Sequence, residues 1–165
     1  MGPLMKTVEN GLRWVLADPR MRDILQGPSD FSIESFGRGK TPLTAFVTPV
    51  RGDRSTDAFL SCFLSLALLV WQQRSWTPER PIALIADEVP NWGGEAQVRR
   101  LTDSFNILRD KKVVPFVYGQ TLAQFLSLLG DYGVDEMLSA ATLRVYGVRD
   151  KTSLEFVRDL LGQTT

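Results

Sequence analysis

Two apolar runs of strand length, residues 81–86 (PIALIA) and 113–118 (VVPFVY), constrain this chain more than anything else in it. Neither alternates as a half-buried strand would, so each reads as a strand covered on both faces of a sheet. Between them Val98, Leu101, Phe105 and Leu108 step by three, four and three residues, which predicts an amphipathic surface helix. Strands joined by a helical crossover are the units of parallel pairing.

The same alternation extends both ways. Residues 43–48 (LTAFVT) and 142–148 (TLRVYGV) read as two further strands, with a helix predicted over 121–129. Residues 58–71 (AFLSCFLSLALLVW) form the most apolar stretch. At fourteen residues it is short of the roughly 20 a spanning helix needs, so it reads as a buried helix with Cys62 in the core and no membrane segment. Thr152 and Glu155 have capping-box spacing for a last helix, which Gly162 can stop. Met5, Val8, Leu12 and Val15 mark a first helix ending at Asp18-Pro19, and Pro19 opens a short second one through Leu25. The expected architecture is α/β: a helical segment over 1–28, then over 29–165 a mostly parallel sheet with helices on both faces.

Composition removes whole classes of chemistry. With no His, Ser-His-Asp and Cys-His catalysis and HExxH zinc sites are excluded, and the lone Cys62 excludes cysteine-cluster zinc and internal disulfides. One Cys fits a reducing, cytoplasmic setting. Nineteen basic residues against nineteen acidic ones leave no overall basic footprint, so contact with DNA is expected only in an assembled form. Locally basic pairs such as Arg99-Arg100 and Lys111-Lys112 read as solvated surface.

In an open parallel sheet, ligands lie beyond the carboxyl ends of the strands. Residues 81–86 end in Asp87-Glu88, residues 113–118 in Gly119-Gln120-Thr121, and residues 142–148 in Arg149-Asp150. An apolar strand closing on Asp-Glu resembles a Walker B element, in which the Asp holds magnesium and the Glu activates the attacking water. An amide at the next strand end can contact both that water and the terminal phosphate. Gly37-Arg38-Gly39-Lys40-Thr41 contains Gly-Lys-Thr but is no phosphate cradle. Glu34 stands where the motif needs Gly, and a proline and an extended run follow where it needs a helix.

The series from residue 29 to 165, with its PIALIADEVPNWGG, ILRDKKVVPFVYGQTLAQF and TLRVYGVRDKTSLEFVRDLLG segments, resembles the conjugative coupling proteins of the TraG/TraD kind. The resemblance implies a RecA-like P-loop NTPase half lacking the Walker A strand. It comes from hexameric motors at the cytoplasmic face of the inner membrane that feed DNA or protein into type IV secretion channels. It implies Asp87 for Mg2+, Glu88 as catalytic carboxylate, Gln120 and Thr121 at the nucleotide, and Arg109 as an arginine finger reaching a neighbouring subunit. ATP and Mg2+ would bind only with the missing Walker A half, so this chain alone is expected to be inactive. The family's Walker A strand lies between those matching 113–118 and 142–148; without it these two would pair, stay apart or recruit another chain. The alternative is a non-catalytic module of the same fold that binds a secretion substrate, a relaxosome protein or a sister subunit, with Trp92 as an exposed anchor.

Overall fold

The computed structural model describes residues 5–6, 12–15, 17–50, 52–91 and 94–162. Val8 and Trp92, named above, lie outside them. Residues 5–6, 12–15 and 17 are helical, and helix α1 (Pro19–Gln26) begins with its proline in the first turn. Asp18 caps it through the Arg20 N–H, and Gly27 ends it. Next comes one 3-10 turn at Ile33–Ser35, then residues 42–50 in neither helix nor strand, and α2 (Arg54–Gln73), capped by Asp53. Strand β1 (Ile82–Ala86), α3 (Glu95–Asp103), α4 (Phe105–Asp110), β2 (Val113–Val117), α5 (Leu122–Ser139) and α6 (Lys151–Leu161) follow.

Strands β1 and β2 pair in parallel, Ile82 opposite Val113 and Ala86 opposite Val117, and form a two-stranded sheet among the described residues. Residues 43–48 and 142–146 form neither strand nor helix, so the four-strand expectation is corrected to two, and residues 142–148 do not pair with β2. One reason lies in β2 itself. The Ile82 N–H donates to the Lys112 carbonyl and the Tyr118 N–H to the Ala86 carbonyl, so the even-numbered residues of β2 face β1. Pro115 therefore falls on the outer edge, where it costs the ladder nothing but removes a donor a third strand would need.

The core fills one face of this sheet. Ile82, Ala86 and Val113 pack with Leu64, Leu68 and Trp71 of α2, Val98 and Leu101 of α3, Leu108 of α4, and Phe125, Leu129, Val134 and Met137 of α5. The helical spacing holds: Val98, Leu101, Phe105 and Leu108 are all buried, although the helix breaks at Ser104. Ser104 Oγ donates back to the Arg100 carbonyl (2.7 Å), a bond that competes with the helix ladder.

The other face carries Ala83, Ile85, Val114 and Phe116, all exposed, with Ile85 at 68%. Helices on both faces is thus corrected to helices on one face. An apolar run without alternation shows only that both faces are apolar, not that both are covered. Cys62, Leu66 and Leu69 are likewise exposed, so α2 is half-buried and Cys62 is not a core residue. Over Ser55–Gln73 that helix is long and apolar enough to cross a membrane by length and composition, and one of its faces packs on the core.

Helix α5 runs past the expected 121–129, with Gly130 at φ 69 interrupting it and Arg99 Nη2 donating to the Leu129 carbonyl (3.3 Å) left at the break. The cap of α6 is Asp150, whose carboxylate accepts from the Ser153 N–H, two residues before the expected Thr152. Glu155 instead meets Lys151 one turn away (3.7 Å).

Arg74, at the C-cap of α2, is 7% exposed, and its Nε, Nη1 and Nη2 have no hydrogen-bond partner among the described residues. Burial pushes its pKa down. A desolvated cation–π contact with Trp76 (5.1 Å to the ring centroid) contributes about 2 kcal/mol and the helix end about 1 kcal/mol. An unpaired buried charge costs several kcal/mol, so the site is not balanced by these contacts.

Candidate functional site

The carboxyl ends of β1 and β2 bring together residues 32 positions apart. Immediately after β1, Glu88 sits in the left-handed region at φ 51, which costs a non-glycine residue about 1–2 kcal/mol. This turn lets Val89, fully buried, swing back and donate its N–H to the Tyr118 carbonyl (3.0 Å), locking the loop to the end of β2. Gln120 then lies beside Glu88, with Nε2 donating to Glu88 Oε1 at 2.7 Å. Asn91 Nδ2 donates to the other carboxylate oxygen at 3.3 Å. Asp87 is exposed next to them, its Oδ1 accepting from the Glu88 N–H (3.1 Å).

Gly119 sets the approach of β2 to this cluster: a Cβ there would run into the Phe125 ring. Thr121 is spent differently. Its hydroxyl accepts from the Gln124 N–H (3.4 Å) as the N-cap of α5, while Gln124 Oε1 accepts from the N–H groups of both Gln120 and Thr121 (3.3 Å each). This capping box fixes the backbone of Gln120 and leaves its amide free to reach Glu88. An open groove of about 370 Å³ beside the cluster is lined by Pro90, Asn91, Ala123, Gln124, Ser127 and Leu128.

Arg109 is not brought to the cluster within this chain. It lies in the last turn of α4, before the amino end of β2, with its side chain 76% exposed and Asp110 4.0 Å away. The third strand-end pair is also elsewhere: Asp150 caps α6, and no strand precedes it. Asn91 is the member of the cluster without a signature in the sequence. Its contact depends on the 3-10 turn Val89–Asn91 returning its amide to Glu88.

The adjacent carboxylates are hard oxygen donors of the kind Mg2+ takes in ones or twos, alongside phosphate oxygens and water. Among the described residues no group of three or more potential ligands is gathered that could hold a metal ion. The Gly37–Thr41 turn does not supply a phosphate cradle either. The Gly37 carbonyl accepts from the Glu79 N–H (3.0 Å) near the amino end of β1, and residues 42–50 after the turn form no helix. Asp87 and Glu88 by themselves are two such donors, of the chemistry magnesium takes but fewer than hold the ion alone.

Three of the four residues in the local basic pairs are held by structural contacts. Arg99 meets Glu95 and the Leu129 carbonyl, Arg100 donates to Ser65 Oγ, and Lys111 donates to the Arg74 carbonyl. No curated protein and no solved structure matches the chain. Residues 81–165, just over half of its length, match the family model described as the TraM recognition site of TraD and TraG. The match opens at β1 and takes in Asp87, Glu88, Asn91 and Gln120, and with it the chain belongs to the TraG and TraD family of coupling proteins and carries their C-terminal region.

Proposed function

We propose that this chain recognises a relaxosome protein of the TraM kind and ties that recognition to the nucleotide state of a coupling-protein motor. The observation that carries the reading is one of overlap. The stretch matching a TraM recognition site also contains the Glu88–Gln120 contact at the ends of two neighbouring parallel strands. An uncharged amide can hold the carboxylate in one state and turn to a phosphate oxygen or water in another, without altering the carboxylate's charge. Asn91, on the same carboxylate, passes any movement of Glu88 into the loop after β1.

A motor reading is favoured by the same geometry. Parallel strands with Asp-Glu at one carboxyl end and Gln at the next suit the Walker B side of a RecA-like domain. Asp87 would then hold Mg2+ and Glu88 orient water, with ATP cradled by sequence outside this chain. When bound, the nucleotide supplies the phosphoryl group. This chain's part is to hold the carboxylate and amide in register. In that reading Arg109, turned to solvent at the far end of β2, serves a neighbouring subunit.

Calorimetry with a purified TraM-type protein tests the first reading: saturable binding by the isolated chain, unchanged in Glu88→Gln, is expected. Absence of binding rejects it. In the assembled coupling protein, Glu88→Gln and Gln120→Ala should lower ATP hydrolysis by about 10²–10³-fold with partner binding intact. Robust Glu88-dependent hydrolysis by the isolated chain would show that the cradle lies within it after all.

A further inference from the structure

At the amino ends of the strands, roughly 16 Å from Glu88 by the length of a five-residue strand, the chain gathers cations that form no ion pair among the described residues. The Arg38 guanidinium carbon lies 4.6 Å from the Trp76 ring centroid and that of Arg74 5.1 Å from the same ring. Lys111 Nζ donates to the Arg74 carbonyl at 2.7 Å. Neither arginine makes an ion pair among the described residues, and Glu79, beside Gly37, pairs with neither. All three guanidinium nitrogens of Arg74 are buried and without a partner among the described residues, and so is Trp71 Nε1 one helical turn earlier. Every orphan here is a donor.

Buried polar groups are paired in nearly all native structures, and a group of orphan donors calls for an acceptor-only partner. Two guanidiniums sharing one tryptophan ring, with an ammonium at the Arg74 carbonyl, also repel one another, which a bound anion would offset. We infer that Arg74, Arg38 and Lys111 form a receptor for a phosphate-type oxyanion, free or as a monoester, with Trp76 as its movable cover. A planar guanidinium presents paired donors matching two oxygens of such an ion, and two guanidiniums with an ammonium more than offset its double charge. Trp76 can move, because residues 75–77 make no backbone hydrogen bond among the described residues and Arg38 is exposed. The site is separate from the Glu88 cluster and does not depend on its role.

Titrating the chain with inorganic phosphate, and in a second arm with glycerol 3-phosphate, at ionic strength held constant with chloride, tests this. A saturable change in tryptophan fluorescence is expected, lost in Trp76→Phe, with the dissociation constant raised at least tenfold in both Arg74→Met and Arg38→Met. Equal affinity in the two arms identifies a site open enough for a monoester, and weaker binding of the ester identifies a site for the free ion. Arg38 is exposed, so its variant keeps the test valid even if the buried substitution disturbs folding. A response matched by chloride alone, or undiminished in both arginine variants, overturns the inference.

Discussion

Among the described residues two other than glycine adopt a left-handed backbone, Glu88 and Lys112, and the contrast between them separates chemistry from strain. Lys112 is exposed, and no side-chain hydrogen bond or ion pair of it occurs among the described residues. Lys112→Gly should therefore stabilise the chain by about 1 kcal/mol in urea denaturation. Glu88→Gly relieves the same strain but gives up bonds to Gln120 and Asn91, each worth about 1 kcal/mol, so it should gain nothing or lose slightly. A gain at position 88 equal to that at 112 would show that those bonds contribute nothing. Gly119 is the third residue on which the cluster depends. Gly119→Ala drives a Cβ into the Phe125 ring and should cost about 1–3 kcal/mol, displacing Gln120 from Glu88. Strand-end acids and an amide were legible because their spacing from apolar runs places them; Asn91 was not, because a turn delivers it.

Caps decide where the helices begin, and one arginine ties two of them together. Arg20 Nη2 lies 2.7 Å from both Asp18, the cap of α1, and Asp53, the cap of α2. Its guanidinium holds the Asp18 carboxyl at about 2, against an ordinary value of 3.8, and holds that of Asp53 down as well. Because the folded pKa is the lower one, the unfolded chain binds more protons as the solution acidifies. The contribution is therefore complete above pH 3.8 and lost as pH falls toward 2. Denaturation midpoints of the natural chain and Arg20→Ala should differ at pH 6 and converge only once the pH is below 2. A difference that persists there would assign it to packing instead. The expected last-helix cap at Thr152 failed because Asp150 offers a carboxylate two residues earlier, and charged caps compete well for the same N–H groups.

Across the whole molecule one sheet face is covered and the other is bare, and mutational cost should follow that division. Leu101→Ala or Leu108→Ala, both fully buried, should cost about 2–5 kcal/mol. Phe116→Ala, on the bare face with 45% of its surface exposed, should cost under about 1 kcal/mol in the isolated chain. Equal costs at both places would mean that the second face is covered in solution. Phe46, 91% exposed in the unpaired stretch before α2, belongs with the inexpensive group.

By itself the sequence determined the local items: strand-length apolar runs at β1 and β2, the buried stripe of Val98, Leu101, Phe105 and Leu108, the Pro19 helix start and the Gly162 stop. These depend on neighbours a few residues away, and periodicity and capping record such neighbours directly. Only the tertiary structure decided which apolar runs found a partner strand, which face of the sheet is covered, and that Arg74 is enclosed without a counter-charge. Pairing, covering and enclosure depend on what arrives from far along the chain, and a residue's own apolarity or charge does not say whether anything arrives.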